Sequence, residues 1–436
     1  MPNLFSKSKA SLGGWPAKGL LFLILLYGGM RISLEANQYP EKLIWSDMEG
    51  YYVYLPATFV YGGFDKVVVR DTNYLRHWKD TKFIYSKYTS GVAILEAPFF
   101  LSAHALAPGL DYARDGHSAI YCYALLLGAV AYMLWGMWLL WLTLRRYFPA
   151  WITLLVLAGL LFGTNLYYYS FFQSAMSHVY SFFLFACAIW FTDNCVRGVQ
   201  ENWKTRSKYF NIIGLGLVLS LVILVRPTNI VIVCYPIYRW IKEIEDKKAF
   251  WRSHALPLAA MLLCAFVVWI PQMMYWKTIT GSWFIWSYEG ESFKFWKEPK
   301  LFRVLFDAWN GWILYSPIVI FPLIALVRGR HSNRYSERIL MVIFAIATYL
   351  FASWWAWWFG GAFGHRSYVE YLALLAIPFA SLLNEARRVK WLLVLLLLIY
   401  GVFIYYSLGM TYLYQAPWDG GNWTYDSVLD QVKKLF

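Results

Sequence analysis

Charge is scarce in this chain. Only 15% of its 436 residues are Asp, Glu, Lys or Arg, against about a quarter in a soluble globular domain. Cysteine is scarcer still. The five cysteines, Cys122, Cys187, Cys195, Cys234 and Cys264, lie in or beside apolar runs and none forms a CxxC pair, so neither a metal knuckle nor a disulfide framework is indicated. There is no P-loop, no G-x-G-x-x-G opening a helix, no HExxH and no G-x-S-x-G. The signatures of nucleotide binding, zinc proteolysis and serine hydrolysis are therefore missing. Neither an internal repeat nor a low-complexity tract is visible.

What is present instead is apolar: 60% of the residues are hydrophobic and 21% aromatic. A chain of this composition cannot hide its side chains in one water-soluble core, and the solvent it fits is lipid. A spanning helix needs roughly 20 apolar residues. The pattern predicts an all-α, polytopic membrane protein with about eleven spans, near 17–34, 118–144, 150–168, 174–195, 210–225, 227–241, 255–276, 312–327, 339–358, 366–383 and 391–410. The 210–241 pair is short and is broken by Arg226-Pro227. The first run lacks a small-residue cleavage site and reads as a retained helix rather than a signal peptide. No soluble domain is predicted, so residues 1–436 form one membrane domain.

The net charge of +14 does not point to nucleic acid. The Lys and Arg residues gather in short runs between apolar segments: Arg145-Arg146, "RGVQENWKTRSK", "RWIKEIEDKKAFWR", "RGRHSNRYSER" and "NEARRVK". On the eleven-span map these fall on one side, the side of the basic N-terminus. That places the N-terminus in the cytoplasm and the C-terminus outside a cytoplasmic membrane. The outside then receives residues 35–117, residues 277–311 and the tail from 411. Within the first of these, "GYYVYLPATFVYGG" and "VAILEAPFFLSAHAL" read as interfacial helices. If the second spanned, every later basic run would change sides.

Candidate chemistry lies along that outer rim. "SDMEGYY" holds Asp47 and Glu49 just past the first apolar run, beside Tyr51 and Tyr52. Ser46-Asp47-Met48-Glu49 fits the S-x-x-E capping box, and either acid is also a candidate catalytic base. Positions i and i+2 of a helix diverge, so one of the two is expected to face a site. In "GTNLYYYSFFQSAMSHVYSFF", His178 sits about one turn inside a helix with Gln173, Ser174 and Ser177 nearby. It is either a hydrogen-bonded packing residue or part of a watery cavity. In "WWAWWFGGAFGHRSYVEY", four tryptophans mark an interface belt and a Gly-rich turn leads to His365-Arg366. An outer arginine runs against the charge bias and reads as either snorkelling or phosphate binding. Arg226 in "LVRPTN" and Lys87 in "SKYTSG" are further outward cations. Residues 277–311 add Trp283, Trp286, Tyr288, Glu289, Glu291 and Trp296, a mix that suits sugar rings as well as an interface. The acids could serve as base or as ligands, so a divalent metal stays open.

These pieces together resemble the GT-C superfamily of glycosyltransferases, in the branch of protein O-mannosyltransferases and bacterial aminoarabinose transferases. The likeness rests on "SDMEGYY" after the first helix, on Lys87 in "KYTSGVAILEAPFF", on Arg366 in "FGGAFGHRSYVEY", and on "GTNLYYY" and "MSHVYSFF". The resemblance implies a polyprenyl-phosphate-linked sugar donor and an acceptor hydroxyl on a glycan, lipid or protein. It also implies an inverting single displacement, with Asp47 or Glu49 taking the proton. Arg366, His365, Arg226 and Lys87 would hold the phosphate, and His178, Gln173, Tyr51 and Glu289 would line the substrate site. Two other classes fit the same rim: a transporter or flippase for a lipid-linked glycan, which should carry repeat symmetry, and a glycan polymerase or ligase.

Overall fold

In lipid every backbone N–H and C=O must be satisfied within its own segment, which leaves helices as the economical solution. The computed structural model describes residues 15–39, 43–70, 75–200, 204–414 and 422–436; the basic segment 1–14 lies outside them, as do 201–203 of the second basic run and 415–421 of the tail. The helices are α1 (Trp15–Ala36), α2 (Asp47–Tyr52), α3 (Tyr54–Phe59), α4 (Gly91–Leu106), α5 (Ala119–Leu144), α6 (Ala150–Phe162), α7 (Leu166–Phe171), α8 (Ser177–Gln200) and α9 (Thr205–Val225). They continue with α10 (Cys234–Glu243), α11 (Lys247–Thr280), α12 (Leu301–Phe306), α13 (Trp312–Tyr315), α14 (Ile320–Gly329), α15 (Glu337–Ser353), α16 (Leu372–Ala386), α17 (Lys390–Leu413) and α18 (Tyr425–Val432). Among the described residues the only ladder is a two-residue antiparallel pair, Arg76 against Tyr85 and His77 against Ile84.

An all-α membrane protein fits these helices, but the expected count of about eleven spans is not confirmed. Among the described residues, seven helices are long and apolar enough to cross a membrane, and three apolar helices are shorter, at Ala150–Phe162, Pro317–Gly329 and Leu372–Ala386. Two of the expected spans are interrupted locally. Residues 227–241 do not form a span: Pro227 opens a 3-10 segment to Val233, and the ten-residue α10 that follows carries Arg239 and Lys242. At 312–327 the helix breaks around Pro317.

Large apolar side chains face outward on α1, α11 and α17; Leu23 is 61% exposed, Leu262 66% and Leu398 65%. In water such a surface would aggregate, whereas against acyl chains it costs nothing. The core lies inside the ring of spans. α5, α8, α9 and α11 pack as successive neighbours, and α16 packs against α6, α8 and α14. Twelve of the fifteen α16 residues are buried, as expected of a helix apolar on all sides.

The basic connections meet at one end of the bundle. Arg146 and Arg239 both pair with Asp193, Lys242 bonds the Asn333 carbonyl, and Arg328 reaches Glu385. Two spans fix the direction of the first loop. Phe22 stacks on Trp135, and a Cβ on Gly29 would touch Val130, so α1 and α5 run antiparallel. Gly91–Leu110 has the length and composition of a span, against the interfacial expectation for that segment. Two antiparallel spans nevertheless leave the connecting chain beginning and ending on one side. α4 lies along the first half of α5, with Tyr132 donating to the Leu95 carbonyl and His104 against Tyr121.

This predicts that cysteines introduced at the exposed positions Asp80 and Tyr112, in a background without the five native cysteines, react with a membrane-impermeant maleimide from the same side. Labelling from opposite sides would mean that α4 crosses the membrane.

Candidate functional site

The site is built where α2, the start of α4, the start of α8, the end of α9 and the 354–370 segment meet. Ser46 precedes α2 at φ 55° and ψ −131°, and its side chain makes no cap hydrogen bond to the helix. The S-x-x-E box therefore does not form, because Ser46 is in the wrong backbone region to aim its hydroxyl at the first turn. Glu49, 1% exposed, instead accepts from the backbone N–H of Arg70, and pins the first loop to α2. Asp47 points elsewhere. Its Oδ2 accepts from Arg366 Nη2 at 2.9 Å and its Oδ1 from the Tyr88 hydroxyl at 2.5 Å. Tyr88 can reach because position 50 is glycine; a Cβ there would lie 2.4 Å from the Tyr88 ring.

Electrostatics fix the state of Asp47. Burial raises its pKa, but the Arg366 guanidinium, the Tyr88 hydrogen bond and the Lys87 ammonium outweigh burial and hold it below 3.8. Tyr88 is driven well above its ordinary range by burial and then by Asp47, so it stays protonated and donates. In the free protein Asp47 is an ionised carboxylate with both oxygens engaged.

A second ion pair lies beside the first. Arg226 leaves α9 in an extended conformation, φ −150° and ψ 110°, as a residue before proline prefers. Its Nη1 lies 3.1 Å from Glu370 Oε1 and 2.9 Å from His178 Nδ1, and its Nη2 donates to the Ser367 hydroxyl at 3.0 Å. A guanidinium only donates, so His178 Nδ1 accepts and the ring proton sits on Nε2. The 3.3 Å approach of His178 Nδ1 to Glu370 Oε2 is then a polar contact rather than an ion pair. Asn229 donates to Glu370 Oε1 at 3.3 Å. Gly91 permits the junction: a Cβ there would sit 2.5 Å from the Val225 backbone nitrogen.

The third pair is Lys87 with Glu291, 2.5 Å apart, with Lys87 near the Tyr88 and Tyr288 rings at 5.4 and 5.6 Å. Tyr51 is buried, its ring 4.3 Å from that of Tyr88, and it accepts from Ser177 at 3.3 Å. Of the expected residues, Asp47, Tyr51, Lys87, His178, Arg226 and Arg366 come together. Glu289 is exposed, and its neighbour Glu291 takes the lysine. Gln173 lies half-buried in the turn before α8. His365 is fully buried against Phe351, Phe359 and Tyr368, with Nε2 at 2.9 Å from the Trp357 carbonyl. Burial pushes its pKa down to about 3, so it is a neutral packing residue rather than a cation for phosphate. Arg366 opens a three-residue 3-10 turn, and the α-helix starts only at Leu372. A helix macrodipole therefore does not add to the guanidinium there.

The turn that presents Arg366 is held from below. Asn310 donates to the Trp358 and Gly360 carbonyls at 2.9 and 3.0 Å, and Phe359 and Gly360 both take positive φ, 54° and 73°. A bulky residue at positive φ is a strained position of the kind that clusters at working sites. Glu370, Tyr88, Asn229, Ser367 and Asn310 were not singled out from sequence. Glu370 carried a readable signal: an acid opening an apolar run, four residues after Arg366, is a functional pointer by the cost of burying its charge.

The described cluster is balanced: three cations face three carboxylates. Among the described residues no three His, Cys, Asp or Glu side chains gather to hold a metal ion. No family model, curated protein or solved structure matches the chain.

Both side chains of the Asp47–Arg366 pair are 16% exposed, and removing one partner of such a pair costs about 3–5 kcal/mol when fully buried. Asp47→Asn is therefore expected to lower the thermal midpoint by leaving Arg366 without its carboxylate. The double variant Asp47→Asn/Arg366→Gln should recover part of the loss in a double-mutant cycle. Additive losses would mean that the pair is not coupled. Because the Asp47 pKa is lowered, this stabilisation is complete above 3.8 and disappears as pH falls through the lower folded value.

Proposed function

We propose that the protein is an integral-membrane glycosyltransferase that moves a sugar from a polyprenyl-phosphate donor to an acceptor hydroxyl on the outer face of a cytoplasmic membrane. The observation that carries this reading is the Asp47–Arg366 pair, 2.9 Å apart, with Arg226 tied to the adjacent Ser367. Two guanidiniums and two carboxylates, Asp47 and Glu370, share one buried corner. That is the charge set needed to take a proton from a hydroxyl and to hold a departing phosphate.

In this reading the donor, a phosphodiester that joins the polyprenol to the anomeric carbon of the sugar, docks its phosphate on Arg366 and Arg226. The acceptor oxygen attacks the anomeric carbon, the new C–O bond forms as the bond to the phosphate oxygen breaks, and the electron pair leaves with the phosphate. Asp47 receives the acceptor proton. In the free protein Arg366 occupies Asp47 and depresses its basicity. A donor phosphate that draws the guanidinium to itself releases the carboxylate and lets burial raise its pKa. The base then becomes effective only when the donor is in place. Glu49, committed to the Arg70 backbone, serves to hold the loop, and the Lys87–Glu291 pair with Tyr288 borders the acceptor side.

The test is release of polyprenyl phosphate by the purified protein in nanodiscs, given a panel of polyprenyl-phosphate hexoses and pentoses with envelope glycans, lipids and proteins as acceptors. Turnover is expected in the wild type. In Asp47→Asn it should fall by roughly the hundred- to ten-thousand-fold typical of a lost general base. Arg366→Lys should weaken the donor's apparent affinity, because the ammonium loses the bidentate fork. Glu49→Gln should lower stability more than turnover. Full turnover in Asp47→Asn, or no release from any donor, would overturn the reading.

A further inference from the structure

A large cleft lies at the other end of the bundle. It has a volume of about 920 Å³, within the roughly 300–1,000 Å³ range of ligand pockets. It opens between α14, α16 and α17, and its wall is apolar along its length, with Ile320, Phe321, Ile324, Leu392, Leu396 and Phe403. α16 connects the two ends: it begins two residues after Glu370 and its last residues line the cleft. At about 1.5 Å per residue its fifteen residues separate the two by roughly 20 Å, so this cleft and the candidate site do not overlap.

The mouth differs from the wall. Arg328, Arg334 and Arg388 line it, against Glu337 and Glu385. Glu337 is 3% exposed, and its carboxylate already accepts from the Tyr335 backbone at 2.9 Å. Arg328 and Glu385 meet only loosely, at 3.8 Å, and both are more than half exposed. The Arg334 guanidinium lies over the Tyr335 ring at 5.4 Å, and Arg388 is exposed. The flanking residues Arg330, Arg338, Arg387 and Lys390 add positive charge. An apolar cleft ending in exposed guanidiniums complements one kind of molecule, with a hydrocarbon tail and an anionic head.

We infer that this cleft binds an anionic glycerophospholipid of the surrounding leaflet, with an acyl chain along Phe321, Leu396 and Phe403 and the phosphate between Arg334 and Arg388. Arginine matches phosphate oxygens with two parallel hydrogen bonds, and basic pockets between membrane helices select anionic head groups in this way. The bound lipid would brace α14 and α17 against α16, the helix that carries the candidate site at its other end. The inference does not depend on the glycosyltransferase reading.

The experiment is thermal unfolding and native mass spectrometry of the delipidated, detergent-solubilised full chain, titrated with phosphatidylglycerol or phosphatidylcholine of the same acyl composition. Phosphatidylglycerol is expected to bind and raise the midpoint more than phosphatidylcholine. Arg334→Ala/Arg388→Ala should weaken its binding by roughly thirtyfold, about fivefold for each arginine near a charged head group. Arg330→Ala, in the same loop but outside the cleft lining, should leave the preference unchanged. Equal effects of the two lipids would overturn the inference, as would a preference that survives the double substitution. So would a response to added polyprenyl phosphate without one to phosphatidylglycerol, which would give the cleft to a different lipid. All these arginines are exposed, so the variants are expected to fold, and an unaltered elution profile checks this.

Discussion

The ion pair between Asp47 and Arg366 ties together two segments 319 residues apart, and most of the candidate site is arranged to make it possible. A charge placed this far from water needs an opposite charge and satisfied hydrogen bonds. Tyr88 supplies one of those bonds, and Gly50 makes room for it. Asn310 holds the strained turn that delivers Arg366. The neighbouring Arg226–Glu370 pair meets the same requirement with Asn229, Ser367 and His178. The packing of α2, α4, α8, α9 and α16 around this corner follows from the need to leave no lone charge in a low-dielectric interior.

That balance also explains why an apolar chain keeps so many ionisable groups together. A structural role alone would be served as well by apolar residues of similar size, since replacing a buried pair by well-packed hydrophobes is often neutral or stabilising. In the proposed reading, three pairs side by side form a device that an incoming anion can rearrange. The lowered pKa of Asp47 is the resting state of such a device.

Much of this was legible in the residues, for physical reasons. Hydrophobic run length marked the long spans α5, α8, α11 and α17. The Arg226-Pro227 dipeptide marked the break that frees Arg226 from its helix. Cations expected on the outer side, against the charge bias, marked Lys87, Arg226 and Arg366. What failed did so where tertiary contacts override local pattern. Ser46 has capping chemistry and takes a backbone conformation that forbids it. His365 stands beside Arg366 in sequence, yet turns into an aromatic pocket because successive residues of a tight turn diverge. Glu291 rather than Glu289 meets Lys87, a two-residue difference that no periodicity in an irregular loop can decide. α16 reads as a span from 366, but the chain spends six residues in turns before the helix begins.

The central claim is that Asp47 and a donor phosphate compete for Arg366. It is tested most directly by measuring the binding of polyprenyl phosphate, without any sugar, to wild type and to Asp47→Asn in nanodiscs of neutral lipid. If the competition is real, Asp47→Asn binds the lipid phosphate several-fold more tightly than wild type, even though it is less stable, because a guanidinium is freed and a like charge is removed. Equal or weaker binding by Asp47→Asn in folded protein would contradict the claim, and would reduce the pair to a structural tie between the first loop and the 354–370 segment.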